Sequence, residues 1–189
     1  YMKTRTIYFD HKGILTNDER VTNIFLIIFG SLLIALLAQI SIPLPFSPVP
    51  ITGQTVGVIL VGGLLGANRG VLSILCYIFE GAIGLPVFAQ MKAGVHILIG
   101  PTAGYLYAFI FAAFLMGYLS EKGFTHRLHL CFLSCLLATA LILAVGTIYL
   151  ASFTLSFDTA FVMGFYPFIV GGIIKSIICA VILIGIRKF

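Results

Sequence analysis

The chain has 189 residues, of which 60% are hydrophobic and 9% charged, and it contains no tryptophan. Its mean hydropathy of +1.15 lies far from soluble domains, which are roughly 45–50% apolar and 25% charged, so a water-soluble globule is excluded. The net charge of +5 does not mark a nucleic-acid binder, because the basic residues stand singly between apolar runs instead of forming one patch with interleaved aromatics.

A spanning helix takes about 20 mostly apolar residues. Stretches such as Ile24 to Ala38 and Cys131 to Tyr149 are apolar on every face, unlike barrel strands with their blocks of alternating polarity. An all-α membrane protein is expected, a compact bundle of six transmembrane helices. The polar stretch Tyr1 to Arg20 lacks the apolar core and small-residue cleavage site of a signal peptide. It is expected to be a cytoplasmic segment, leaving residues 21–189 as one transmembrane domain.

The first span runs from about Val21 to Ile42 and ends at Ser41-Ile-Pro-Leu-Pro-Phe-Ser-Pro-Val-Pro50, whose prolines remove backbone donors and clash with a preceding helical turn. Thr52–Gly66 and Val71–Gly84 are shorter and glycine-rich, separated by Ala67-Asn-Arg-Gly70, and read as a tight helical hairpin. A break at Ile83-Gly-Leu-Pro-Val-Phe-Ala89 and a semi-polar loop follow. Gly100-Pro-Thr102 then starts a fourth span to about Leu119, with proline in the first turn. A fifth span covers about His129 to Ser152, and a short loop with Asp158 leads to a sixth, about Val162 to Ile186.

With six spans the termini and the second and fourth loops share one side. That side collects Lys3, Arg5, Lys12, Arg20, Arg69, Lys122, Arg127, Arg187 and Lys188, nine of the 11 basic residues. Positive charge stays cytoplasmic, so both termini are expected inside and the first, third and fifth loops outside. No repeat of helical length is visible, which argues against a self-contained alternating-access transporter built from inverted repeats.

Two ionisable residues stand within spans, Glu80 in the third and Lys175 in the sixth. A charge at membrane depth is costly unless paired or hydrated. Either the two form a mutual ion pair holding helices together, or Lys175 or Lys92 neutralises an anionic ligand while Glu80 accepts hydrogen bonds from a polar ligand group or orients the lysine. The outer loops are rich in proline, glycine and hydroxyls, and with Thr52, Gln54, Thr55, Thr102 and Tyr105 they suit a pocket for a small, mostly apolar ligand.

No metal site is expected: Cys76, Cys131, Cys135 and Cys179 lie inside apolar segments without CxxC spacing, and His96 has no second ligand at metal spacing. There is no P-loop and no GxSxG nucleophile turn, so neither ATP hydrolysis nor other enzyme chemistry is expected of this chain. In the first span, Ser31-Leu-Leu-Ile-Ala35 is a small-xxx-small pattern that allows close helix approach in lipid.

Three motifs, Pro48-Val-Pro-Ile-Thr-Gly-Gln-Thr55, Gly84-Leu-Pro-Val-Phe-Ala89 and Gly100-Pro-Thr-Ala-Gly-Tyr105, occur in order, with Gly63-Leu-Leu-Gly66 and Gly70 between the first two and Pro167-Phe168 ahead of Lys175. In this the chain resembles the substrate-binding subunits of energy-coupling-factor (ECF) vitamin transporters, and among them the biotin-specific BioY type. The resemblance is strict from about Ser47 to Tyr105 and looser beyond. It implies high-affinity capture of biotin, as transported ligand and not cofactor, from the outer face of a bacterial plasma membrane. It also implies partners, a transmembrane coupling subunit and two ATPase subunits, with Ser31 and Ala35 on the docking face.

Carried over position by position, the resemblance implies a ligand-binding set of Gln54, Tyr77, Glu80, Pro86, Phe88, Lys92, Gly94, Thr102, Gly104, Tyr105 and Lys175, with Lys175 at a polar end of the ligand. The family often carries an acidic residue ahead of the last lysine, where this chain has Gly172. The expectation is that Glu80 supplies the missing acceptor and that Lys92 contributes to carboxylate binding. Another small vitamin on the same scaffold is the alternative, with an embedded enzyme or a channel as more distant ones.

Overall fold

The computed structural model describes residues 19–154 and 156–187. Lys3, Arg5, Lys12 and Lys188, and the expected cytoplasmic segment as far as Asp18, lie outside the described residues. Among the described residues five helices are long and apolar enough to cross a membrane: α1 (Glu19–Gln39), α2 (Gln54–Ala82), α4 (Ala103–Glu121), α5 (Leu128–Thr154) and α7 (Phe168–Arg187). Between them lie α3 (Val95–Leu98) and α6 (Phe157–Gly164). Large apolar side chains cover the outside of the bundle, among them Phe25, Leu36, Phe79, Phe111, Ile148 and Val170, all more than half exposed. A soluble protein would bury them; a bilayer accepts them.

The expected second and third spans form one element whose direction reverses at Gly66. There φ is 84° and ψ 177°, a backbone conformation open to glycine and to almost nothing else. The amide of Ala67, left without a helical acceptor by the break, donates to the Glu121 carboxylate at the end of α4 (2.8 Å). The two arms run back along each other, because Gln54 Nε2 donates to the Tyr77 hydroxyl (2.5 Å), although a straight helix would hold these residues roughly 35 Å apart. Gly62 and Gly70 let the arms touch: a Cβ on Gly70 would sit 3.0 Å from the Gly62 Cα.

An all-α fold is not what the chain adopts throughout. Ser41–Leu44 (β1) and Ser47–Thr52 (β2) pair antiparallel, with Ser41 opposite Thr52 and Leu44 opposite Ser47. Proline is tolerated here because both strands of a two-stranded ribbon are edges, and the register is irregular between Ile42 and Leu44, around Pro43. The expected sixth span also divides. Ser156 caps α6 through its hydroxyl, and Pro167 disfavours helical backbone at the residue before it, so α7 begins only at Phe168.

The ends of the bundle differ in character. The break at Gly66 meets the end of α4, and the turn Phe124–His126 packs against α4, α5 and α7, so Arg69, Lys122 and Arg127 gather at one end. The ribbon, the loop after α2, and α6 gather at the other, where Ser47 Oγ donates to the Met163 carbonyl (2.8 Å).

Candidate functional site

A cavity of about 710 Å³, counting its open mouth, lies at the ribbon end of the bundle. Its roof is Pro48, Val49 and Pro50 of β2 with Phe88, Ala89 and Lys92 of the loop after α2. Tyr105, Leu106 and Phe109 of α4 form one wall, and Ile142 and Leu143 of α5 another. Phe168 and Lys175 of α7 close it. They are seven apart, two helical turns along one stripe.

The polar groups are few and connected. Lys175 Nζ donates to the carbonyl of Thr52 (2.6 Å). Thr52 Oγ1 donates to Gln54 Oε1 (3.0 Å), and Gln54 passes the chain on to Tyr77. Thr55 also lines the cavity, and its buried hydroxyl has no partner among the described residues. Two ammonium groups, Lys92 and Lys175, the hydroxyls of Thr52, Thr55, Thr102 and Tyr105 and the Gln54 amide in an otherwise apolar chamber can hold a ligand with an apolar body and polar ends.

Phe88 is seated by a notch. It is 2% exposed and meets the Tyr77 ring edge-on at 5.5 Å, and it lies over Gly81, where a methyl group would overlap the Phe88 ring. Tyr105 is a strut as well as a wall: its ring lies over Gly146, and its hydroxyl donates to the Gly164 carbonyl (2.8 Å) with Thr147 nearby.

Of the eleven expected ligand-binding residues, six line the cavity: Gln54, Phe88, Lys92, Thr102, Tyr105 and Lys175. The other five do not. Tyr77 is fully buried and supports Gln54 and Phe88 from behind. Pro86 is exposed. Gly94 ties its loop down through N–H to the Gly81 carbonyl (2.7 Å), and Gly104 makes room for Tyr149 of α5.

Glu80 departs furthest from expectation. Ser73, Cys76 and Glu80 share the stripe of α2 that faces α1, whereas Ile74, Tyr77 and Gly81 face inward. Glu80 therefore accepts from the Ser31 hydroxyl (2.5 Å) and the Cys76 thiol (3.4 Å). Among the described residues no ion pair joins Glu80 to Lys175, so neither the mutual pair nor a cavity-facing acceptor describes this carboxylate. Ser31 and Ala35 are likewise buried between α1 and α2; the small residues serve packing within the chain and present no docking surface outward.

Leu106, Phe109, Ile142 and Leu143 were not singled out from sequence. Their helices are apolar on all faces, so no periodicity phases them toward the cavity. Gly172 lies on the stripe between Phe168 and Lys175, and a Cβ there would meet Thr139 of α5 at 3.0 Å. The glycine lets α5 and α7 close together at the position where the resemblance leads one to expect a carboxylate.

Comparison with known proteins gives one consistent answer. Residues 8–189 match the model of the BioY family. The biotin transporter BioY of Thermotoga maritima is 39% identical over 156 residues, 82% of this chain and 90% of that protein. The biotin transporter BioY2 of Lactococcus lactis is 35% identical over 169 residues, 87% of this chain and 89% of its own length. The crystal structure of the S-component for biotin from an ECF-type ABC transporter superposes with a TM-score of 0.82 at 30% identity, covering 93% of this chain and 96% of that one. With a matching family model along nearly its whole length, and a helical membrane bundle that superposes on a solved S-component, the chain belongs to the BioY family.

Proposed function

We propose that the protein captures biotin at the outer face of a bacterial plasma membrane and delivers it as the substrate-binding subunit of an ECF-type transporter, energised by a transmembrane coupling subunit and two ATPase subunits. The observation that carries this reading is the Lys175 ammonium inside a chamber walled by Tyr105, Phe109, Ile142 and Phe168. Biotin has an apolar bicyclic ring and valeryl chain, a carboxylate that needs a cation, and a ureido group that needs donors and acceptors. Lys175, with Lys92 at the mouth, answers the carboxylate; Thr55 and Gln54 answer the ureido group. Leaving either end unanswered would cost about 1–3 kcal/mol per buried polar group.

The two arms of α2 are each counted as a crossing, giving six, with both termini cytoplasmic. Arg69, Lys122 and Arg127 sit at the end away from the cavity, and positive charge stays inside, which supports an outward-facing mouth.

Equilibrium binding of biotin to the detergent-purified protein, with desthiobiotin and thiamine as comparisons, tests the reading. Saturable one-to-one binding that prefers biotin over thiamine is expected; no binding would mean that the cavity has another ligand. Because Glu80 faces α1, Glu80→Gln is expected to bind biotin within about threefold of the parent in the same assay. A loss of tenfold or more would return Glu80 to the ligand.

A further inference from the structure

Gln39 is the last residue of α1, where the carbonyls of the final turn have no amide of their own helix to accept from. Its side chain reaches across to the loop after α2. Nε2 donates to the carbonyls of Ala35 (3.0 Å), Val87 (3.3 Å) and Phe88 (3.3 Å), two protons shared among three acceptors. Oε1 accepts from the amide of Met91 (3.1 Å). One carboxamide thus satisfies both an amide and two carbonyls of a loop that no regular element covers.

That loop is held in a conformation it would not adopt alone. Gln90 and Met91 have φ of 62° and 56°, in the left-handed region that side-chain-bearing residues rarely occupy and that persists only where surrounding structure over-determines it. The reversal brings Phe88 and Lys92 together as a bridged pair, Phe88 N–H donating to the Lys92 carbonyl (3.1 Å). With Ala89 between them, these are the residues by which the loop roofs the cavity. The Phe88 ring over Gly81 fixes one side of the loop; the strained tip is fixed by Gln39.

We propose that Gln39 is a positioning residue for ligand capture: it latches residues 83–94 to α1 and so holds Phe88 and Lys92 over the cavity, without touching the ligand itself. The inference rests on reading the cavity as the biotin site. Gln39 is not among the cavity-lining residues, so its effect on the ligand runs through the loop. Releasing it opens the roof, and an opened roof speeds escape more than it slows entry. The signature is therefore a faster dissociation rate at a nearly unchanged association rate.

The test is Gln39→Met, which keeps the length of the side chain and removes its donor and acceptor, in the full-length protein. Two quantities are measured: biotin association and dissociation rates, and hydrogen exchange of the amides of Phe88, Lys92 and Gly94 without ligand. The expected result is dissociation at least tenfold faster, association within threefold, and loop exchange at least tenfold faster while α4 is unchanged. A dissociation rate within twofold of the parent, or unchanged loop exchange, overturns the proposal. If Gln39→Met does not fold, Gln39→Glu, which keeps an acceptor for Met91 and loses the donors, is judged by the same criteria. A parent protein that binds no biotin would defeat the functional reading, while the exchange measurement would still decide whether the latch exists.

Discussion

Lys175→Met is expected to weaken biotin binding by at least about 100-fold, which is about 2.8 kcal/mol at roughly 1.4 kcal/mol per decade. A carboxylate brought into an apolar chamber keeps its charge only if a cation meets it, and removing one partner of a buried charge pair costs about 3–5 kcal/mol because the other is left uncompensated. Methionine preserves the length and packing of the lysine stem, so a normal melting temperature would separate loss of charge from loss of fold. Biotinamide, which lacks the ligand's charge, sharpens the result. The parent should discriminate strongly against the amide, and Lys175→Met should bind acid and amide alike. A variant within fivefold of the parent for biotin would remove Lys175 from the site; persistent discrimination would move the lysine to the ureido end.

Gly81→Ala is expected to damage the site from a position that touches no ligand. The added methyl group overlaps the Phe88 ring, and the ring has no free space to retreat into, being 2% exposed and packed edge-on against Tyr77. Phe88 must leave its notch and take the loop's roof with it. Overpacking of this kind destabilises by about 1–3 kcal/mol, and biotin affinity should fall by about 30-fold. Adding Phe88→Leu to Gly81→Ala makes room for the methyl group and should recover most of the lost stability. Melting and binding of Gly81→Ala indistinguishable from the parent would show that the notch is not what seats the loop.

Much of this arrangement is legible in the sequence, for identifiable reasons. Prolines after Ile40 end α1, Gly100-Pro-Thr102 marks the start of α4, and an intramembrane lysine announces a cavity because little else justifies its cost. Six of the expected ligand residues do meet there. What escaped needed information that a single helix does not contain. In α5, Cys131 to Tyr149 is apolar on every side, so nothing distinguishes Ile142 and Leu143 from residues facing lipid. Glu80 lies one turn from Tyr77, yet a rotation of about 60° around the helix turns it to Ser31 on another helix. The ribbon escaped because Pro43, Pro48 and Pro50 argue against strands wherever both edges are paired, and here neither outer edge is. The separate α6 was readable from Ser156, Asp158 in the first turn and Pro167, a start signal and a stop signal 11 positions apart.

Two hydrogen bonds join the ribbon to the segments that follow α5: Ser47 to Met163 of α6, 116 residues on, and Lys175 of α7 to Thr52, 123 residues back. During synthesis the ribbon and both arms of α2 enter the membrane long before α6 and α7 exist. Until α7 is inserted the growing chain has Lys92 at the mouth but neither the Lys175 ammonium nor Phe168 to close the chamber. Full ligand affinity is therefore expected only once α7 is in place, and a bound ligand would report that α7 has joined the bundle.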